Sequence, residues 1–154
     1  MRTPRCTPTA GFTLIELLAV LAVIGIAGAA VAMTLPADSS ALDREAARFG
    51  ARLVQAQEEA ILGTRAIEVT ATAAGYGFAR QDFDHWQPLK ERPFGNVPWS
   101  EGTTARLPRN QEQVTFHFDP TGAAGEQSLT LVRGESVRRV AVDPAGEVSI
   151  VAPH

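Results

Sequence analysis

A run of apolar and small residues from Phe12 to Leu35 constrains this chain more than any other feature of its sequence. As a helix with a rise of about 1.5 Å per residue, the run would extend roughly 36 Å, enough to cross the hydrocarbon core of a bilayer. Glu16 is its only ionisable side chain. A carboxylate in a membrane segment costs roughly 2.5–3.5 kcal/mol on insertion scales, so it needs a partner and indicates a functional site. The sequence therefore predicts a single membrane-spanning helix with a functional carboxylate near its start.

A partner for Glu16 follows from the residues in front of the run. If the chain were cut between Gly11 and Phe12, the new N-terminal amine would be a cation about one helical turn from Glu16. The amine of a neighbouring subunit could serve equally well. Either amine would neutralise the carboxylate in an apolar environment.

The sequence Gly-Phe-Thr-Leu-Ile-Glu at positions 11–16 follows a short basic leader and begins the apolar helix. In this it resembles the processing site of type IV pilins and type II secretion pseudopilins. The resemblance implies that a prepilin peptidase cuts after Gly11 and methylates the new N-terminal Phe12. It also implies that Glu16 pairs with the N-terminus of an adjacent subunit during filament assembly. The expected domains are a cleaved leader (1–11), a transmembrane and assembly helix (12–35) and a periplasmic domain (36–154).

Two other interpretations of the N-terminus stay open. An ordinary secretory signal peptide would use Arg2 and Arg5 as its basic region and the A-x-A pattern at 30–32 as its cleavage site. Against it, the apolar run exceeds the usual length of about 7–15 residues and carries a charge near its start. The second alternative is a plain single-span anchor with an incidental Glu16. In either membrane interpretation the two arginines favour a cytoplasmic N-terminus, so the rest of the chain faces outward.

Length and composition limit what the remainder of the chain can be. The remaining residues suffice for one compact domain of modest size. The formal net charge is −3, and removal of Arg2 and Arg5 with the leader would make it −5, which argues against nucleic acid as the main partner. The single cysteine, Cys6, lies in the leader, so a processed chain would have no disulfide to stabilise it.

Hydrophobic periodicity predicts a second helix and then a β-hairpin. Pro36 ends or kinks the first helix, and the polar residues at 38–40 offer N-caps for the next. The alternating residues of Ile67–Ala71 and Tyr76–Arg80 predict the hairpin. Between these parts, up to Gly63, apolar side chains recur in steps of three and four, as in an amphipathic helix packed on a core: Leu42, Ala46, Phe49, Leu53, Ala56 and Ala60.

The rest of the chain predicts short and then regular strands. Prolines and glycines between Gln81 and Pro108 predict a long irregular segment, with Trp86 and Leu89 in the core and Trp99 either a loop anchor or an exposed contact. Alternation then returns at four places after position 113, and two Asp-Pro-x-Gly connectors, at 119–122 and 143–146, suit type I turns. The fold class is therefore α+β, with a long N-terminal helix packed on antiparallel β-sheet, as the resemblance to pilins also implies.

Downstream segments resemble the H class of minor pseudopilins of type II secretion systems, chiefly Tyr76–Phe78, Trp86–Leu89 and Phe118–Gly122. The C-terminal segment Arg138–Val148 resembles both that class and FimT-like minor pilins. The resemblance implies an inner-membrane subunit of a Gram-negative bacterium, with its C-terminal domain in the periplasm and its place near a filament tip. The implied partners are other minor and major pseudopilins, the prepilin peptidase and the inner-membrane assembly platform. Contacts with the other minor pseudopilins are expected in the Gln81–Pro108 segment.

Sequence motifs for catalysis, metal binding and cofactor binding are missing. The chain has no nucleophile elbow, no zinc-protease motif and no phosphate-binding glycine loop. Its three histidines are scattered, and Asp82-x-Asp84 lacks the glycine and the later glutamate of a calcium loop. We therefore expect a structural subunit without cofactor or metal rather than an enzyme.

A binding function is the alternative hypothesis. FimT-like minor pilins are implicated in DNA capture, and Arg133, Arg138 and Arg139 form a candidate basic patch near the C-terminus. Phosphate binding needs several such contacts, and acidic residues lie close by in the sequence. The alternative is thus a FimT-like minor type IV pilin that acts in pilus assembly or DNA uptake.

Overall fold

The computed structural model describes residues 14–33 and 37–152, which belong to two compact units that divide after Pro36. Helix α1, Leu14–Met33, is the described part of the first unit. It is apolar on all sides apart from Glu16 in its first turn. The predicted span of 12–35 extends beyond the described residues at both ends. Within the described part of the chain, no helix is both long enough and apolar enough to cross a membrane.

Helix α2, Ala37–Gly63, begins the second unit and is amphipathic. Because it starts at Ala37, the polar residues predicted as N-caps lie inside its first turn. Asp38 is nevertheless well placed there, since a carboxylate in the first turn interacts favourably with the helix dipole. The predicted apolar stripe is confirmed, because none of its side chains has exposed surface: Leu42, Ala46, Phe49, Leu53, Ala56 and Ala60.

Strands make up most of the chain after α2. In chain order they are β1 Ile67–Thr72, β2 Gly75–Asp82, β3 His85–Pro88, β4 Val97–Pro98, β5 Thr104–Arg106, β6 Gln113–Phe118, β7 Gln127–Arg133, β8 Ser136–Val142 and β9 Val148–Val151. The shortness of β3, β4 and β5 confirms the prediction of at most short strands in the Gln81–Pro108 segment. All pairings among these strands are antiparallel.

The strands form two antiparallel sheets, a division that the sequence pattern did not specify. The first has the order β3-β2-β1-β6, with β4 also paired to β2, and the second has the order β5-β7-β8-β9. The predicted hairpin is the centre of the first sheet, where Ile67 pairs with Arg80 and Ala71 with Tyr76. Alternation along a strand fixes which face is buried but carries no information on which sheet the strand joins.

The core lies between α2 and the two sheets, both of which α2 contacts. Phe49 of α2 is at the centre of an aromatic cluster, with ring centroids 4.9 Å from Tyr76, 5.2 Å from Trp99 and 5.7 Å from Phe116. Trp99, which the sequence left undecided, is a buried anchor whose indole N–H donates to the carbonyl of Thr72 at 2.9 Å. The second sheet contributes Leu129, Leu131, Val140 and Val142 to the same core.

The prediction that Trp86 lies in the core is wrong, whereas Leu89 does pack partly buried against it. Trp86 pairs with Gln81 across β2 and β3, on the sheet face away from α2. Its ring is 37 % exposed and lies 5.7 Å from the ring of His117. An aromatic in a four-residue strand with no apolar alternation can face either way, and here the register places it outside.

The two Asp-Pro-x-Gly connectors form turns of one design. In each, the glycine N–H donates to the aspartate carbonyl three residues earlier at 2.9 Å. The third residue, Thr121 or Ala145, lacks the positive φ of a type II turn, so both turns fit the predicted type I geometry. The side chain of Asp119 also accepts from the backbone N–H groups of Thr121 and Ala123. Gln57 of α2 joins the two turns, because its amide donates to the carbonyls of Gly122 at 2.8 Å and Ala145 at 3.3 Å.

Candidate functional site

The N-terminal residues predicted to be processed, Gly11 and Phe12, lie outside the described part of the chain. Glu16 lies in the first turn of α1, and its side chain is exposed. A carboxylate in the first turn of a helix is favoured by the helix dipole, and a nearby amine would add a charge partner. The cleavage, methylation and pairing roles assigned to these residues therefore stay predictions.

The described surface of α1 is largely apolar and exposed. Leu14 is 83 % exposed and Ile26 is 73 % exposed. A helix that is apolar all round is stable only where apolar groups surround it, since exposed apolar area costs free energy in water. The large side chains exposed along this stretch are Leu14, Ile15, Leu17, Leu18, Val20, Leu21, Val23, Ile24 and Ile26.

Arg133, the first residue of the candidate basic patch, ends strand β7 and is compensated by a carboxylate. Its Nε lies 3.0 Å from Oδ1 of Asp38 in the first turn of α2. Its Nη1 also donates to the carbonyl of Glu101. Three quarters of the Arg133 side chain is buried, so it serves contacts within the domain.

The other two arginines of the patch lie on β8 and differ from each other. Arg138 is 20 % exposed and donates to Oδ1 of Asp43 and, at 2.8 Å, to the carbonyl of Val137. Arg139 is exposed. Because two of the three cations are paired with carboxylates of α2, the patch offers little free positive charge to a phosphate backbone.

The sequence pattern did not predict that Asp38 and Asp43 would pair with these arginines, since it singled out Asp38 only as an N-cap candidate. Each lies 95 residues from its arginine, so no local pattern joins them. The one available indication is a shared spacing, because the two aspartates and the two arginines are each five positions apart. Together these contacts join the β7–β8 hairpin to the first two turns of α2.

Two buried polar side chains, one on α2 and one on β2, also lie in the domain. Glu45 is 2 % exposed; its Oε2 lies 3.6 Å from Nη1 of Arg48, while its Oε1 has no hydrogen-bond partner among the described residues. The hydroxyl of Tyr76 is likewise buried without a partner there. Burial raises the pKa of Tyr76 above its ordinary value of 10.0, and the charge of Glu45 adds to that effect whereas Arg52 opposes it.

The Gln81–Pro108 segment, predicted to contact partners, has an exposed hairpin turn. Phe83 in the β2–β3 turn is 85 % exposed and has a φ of 53°. Asp82 beside it lies 3.0 Å from Nη1 of Arg65. Within residues 14–33 and 37–152, no group of three or more metal-ligating side chains is close enough to hold an ion.

Comparison with known protein families gives two matches along the chain. A family model described as Type II transport protein GspH matches residues 45–146. A second, described as Prokaryotic N-terminal methylation motif, matches residues 7–32. Among curated proteins, Type II secretion system protein H of Klebsiella michiganensis is 28 % identical over 148 residues, which cover 81 % of this chain and 78 % of the relative.

Solved structures share the fold of this chain at low sequence identity. The minor pseudopilin EpsH from the type II secretion system of Vibrio cholerae has a TM-score of 0.61 at 17 % identity, over 75 % of this chain and 96 % of its own. The solution structure of GspH from Escherichia coli has a TM-score of 0.60 at 18 % identity, over 75 % and 92 % of the two chains. The type IV minor pilin FimU of Pseudomonas aeruginosa has a TM-score of 0.55 at 19 % identity, over 73 % and 97 %. These similarities confirm the predicted α+β, pilin-like fold.

Proposed function

We propose a function for this chain from the premise that it belongs to the Type II transport protein GspH family, whose model matches well over half of its length. The chain is a minor pseudopilin, a structural subunit of the periplasmic pseudopilus of the type II protein secretion system. The observation that carries this function is the succession of an N-terminal methylation motif at 7–32 and a GspH domain at 45–146 in one chain. Its role is structural rather than catalytic.

Processing at the N-terminus prepares the subunit for assembly. A prepilin peptidase cuts between Gly11 and Phe12 and methylates the amine of Phe12. The match of the methylation motif to residues 7–32, which include this junction, supports this step. Cleavage removes Arg2 and Arg5 and leaves an N-terminal cation about one helical turn before Glu16.

Assembly then buries the apolar surface of α1. Before assembly the segment 12–35 anchors the subunit in the inner membrane, with the domain that begins near residue 36 in the periplasm. In the filament, the α1 helices of neighbouring subunits replace lipid around side chains such as Leu14 and Ile26, which are exposed in the isolated chain. Glu16 pairs with the N-terminal amine of an adjacent subunit, and this pairing sets the register between the two helices.

The partners of such a subunit are the major pseudopilin and the other minor pseudopilins, joined with the help of an inner-membrane assembly platform. The position is near the filament tip, in keeping with the expected contacts of the H class with other minor subunits. The exposed Phe83 turn in the Gln81–Pro108 segment supports this segment as one contact surface.

DNA uptake in the manner of FimT-like pilins is the weaker alternative. Its sequence argument rested on Arg133, Arg138 and Arg139, of which the first two form ion pairs with Asp38 and Asp43. A net charge of −5 after processing also repels a polyanion.

The experiment that tests the proposed function is intact mass measurement with N-terminal sequencing of the protein recovered from membranes. A chain that begins with N-methylated Phe12 is the expected result. A Gly11→Val variant should stay unprocessed, because a branched side chain would occupy the cleavage position, whereas Thr9→Val should be processed normally. A chain that begins at Met33 would mean an ordinary signal peptide and would remove the basis of the filament hypothesis.

A further inference from the structure

A cleft of about 630 Å³ lies between the C-terminal half of α2, strands β2 and β3, and the turn that follows β3. Glu59 lines it from the helix and Arg80 from β2. The turn contributes Lys90 and Arg92, and apolar surface comes from Leu89 and Phe94. None of these residues belongs to the N-terminal assembly segment.

Arg80 is the central polar group of this cleft. It lies on the same face of β2 as Tyr76 and Phe78, the face that packs toward α2, and it pairs across the sheet with Gln87. Its Nε is buried and has no hydrogen-bond partner among residues 14–33 and 37–152. Because this Nε has no accessible surface, a carboxylate in the cleft would bind through the part of the Arg80 side chain that lines it.

The carboxylates that line the same cleft do not pair with Arg80. Glu59 and Glu91 both lie at its margin, yet the described structure has no ion pair between either of them and Arg80. One oxygen of Glu59 instead lies 3.8 Å from the position that a Cβ would take at Gly63, farther along α2. The positive charge of Arg80 is therefore not paired with either carboxylate of the cleft in the described structure.

The turn that holds the other cations is fixed in place by packing. The rings of Phe94 and Phe78 are 5.3 Å apart in an edge-to-face arrangement, and the N–H of Phe94 donates to the carbonyl of Glu91 at 2.8 Å. Lys90 and Arg92 are exposed on this turn, and no ion pair joins either of them within the described part of the chain. Three cations thus surround one cleft in a domain that is acidic overall.

We propose that this cleft binds a glutamate or aspartate side chain from an acidic segment of another filament subunit, with Arg80 as the primary contact. Charge complementarity favours this occupant, because three cations outnumber two carboxylates and a guanidinium can bind a carboxylate through two parallel hydrogen bonds. The apolar surface of Leu89 and Phe94 strengthens the contact by excluding water. The assignment of the partner as a filament subunit rests on the proposed function.

Glu59 is 22 residues after Ala37, so the cleft lies about 33 Å along α2 from the start of that helix. A lipid headgroup is the alternative occupant that the test has to distinguish.

The test measures binding of fluorescein-labelled hexaglutamate to the full-length protein in neutral detergent, by fluorescence anisotropy at about 0.15 M salt. We expect saturable binding of hexaglutamate and none of hexaglutamine. Arg80→Gln should weaken binding at least tenfold, whereas Arg139→Gln, an exposed arginine outside the cleft, should change it less than twofold. Glu59→Gln should strengthen binding, since it removes a competing carboxylate.

Three results would overturn the proposal. The first is a wild-type protein that shows no saturable binding of hexaglutamate. The second is an equal loss of hexaglutamate affinity in Arg80→Gln and Arg139→Gln, which would mean that the peptide is attracted to any exposed cation rather than to this cleft. The third is Arg80-dependent binding of phosphatidylglycerol vesicles in place of the peptide, which would assign the cleft to lipid. An unchanged emission spectrum of the two tryptophans, buried Trp99 and more exposed Trp86, checks that Arg80→Gln is folded.

A second readout separates this proposal from the proposed function. If the N-terminus is N-methylated Phe12 but hexaglutamate does not bind, only the cleft assignment fails. If the chain begins at Met33 and hexaglutamate still binds through Arg80, the carboxylate site stands and the filament subunit as its source fails.

Discussion

The two helices in the described part of the chain use their apolar residues in opposite ways. Helix α2 buries its whole apolar stripe, including Phe49, beneath two sheets of its own domain. Helix α1 exposes every large apolar side chain from Leu14 to Ile26. The apolar stripe of α2 is therefore covered by the rest of its own domain. The apolar side chains of α1 would have to be covered by lipid or by another protein. Stability of the domain and assembly of the filament are, on this view, separable properties of a single polypeptide.

The strongest test of the α2 half of this comparison is Phe49→Ala. Loss of a buried phenylalanine at the centre of an aromatic cluster should lower the free energy of unfolding by about 3–5 kcal/mol. Chemical unfolding followed by tryptophan fluorescence measures the change, since Trp99 lies against the ring of Phe49. Leu62→Ala, at a position on the same helix that is 82 % exposed, is the matched control and should cost less than about 0.5 kcal/mol. Equal effects would mean that α2 does not organise the core.

The α1 half of the comparison is tested by Glu16→Ala. Removal of one member of a buried charge pair typically costs roughly 3–5 kcal/mol, so incorporation into the filament should fall more than tenfold. The free energy of unfolding of the domain should stay unchanged. Copurification with the other pseudopilins measures incorporation, and Glu58→Ala, at an exposed carboxylate of α2, is the control. Normal copurification of Glu16→Ala would contradict the proposed pairing of Glu16 with an N-terminal amine.

The sequence predicted those parts of the fold that depend on near neighbours. Steps of three and four residues identified the buried stripe of α2, and alternation identified the β1–β2 hairpin. The aspartate, proline and glycine of the two connectors predicted their turn type because those residues act within four positions. Local chemistry decided these elements, so local patterns revealed them.

Features that depend on distant residues could not be predicted in this way. The pairing of Arg138 with Asp43 joins positions 95 residues apart, so nearby acidic residues in the sequence were a poor guide to its partner. The burial of Glu45 and the outward position of Trp86 follow from how sheet and helix meet. For the candidate site, the motif at 11–16 could be identified because it lies in one linear segment, which the methylation-motif match at 7–32 includes, whereas the arginine patch required the fold.

A smaller effect is expected from Gly146→Ala, which tests whether the turns hold the C-terminal half of α2. Gly146 has a φ of 81°, and a Cβ there would collide with Gln57 and with the carbonyl of Gly122. Strain of this kind costs on the order of 1–3 kcal/mol, which chemical unfolding would detect. Gly125→Ala, with no atom within 4 Å of the added Cβ, is the control. A neutral Gly146→Ala would show that the turns move independently of α2.

The smallest expected effect is a pH dependence that arises in the first of these turns. Hydrogen bonds from the side chain and backbone of Thr121 hold the pKa of Asp119 below its ordinary value of 3.8. The ionised form is therefore favoured in the folded chain; its stabilisation is present above the ordinary pKa and is lost as the pH falls through the lowered one. Asp119→Asn keeps an acceptor oxygen but cannot titrate. At neutral pH the wild type should have a higher urea midpoint than Asp119→Asn. This difference in midpoint should become smaller at about pH 3. A constant difference would contradict this origin.

The ion pairs between the start of α2 and the β7–β8 hairpin have a consequence for the timing of synthesis. Asp38 leaves the ribosome 95 residues before Arg133. At about 5–20 residues per second, on the order of 5–20 s separate the two. During that interval the apolar stripe of α2 exists without the strands of the second sheet that cover it. Until the last third of the chain has arrived, the nascent chain therefore carries an apolar surface that its own strands do not yet cover.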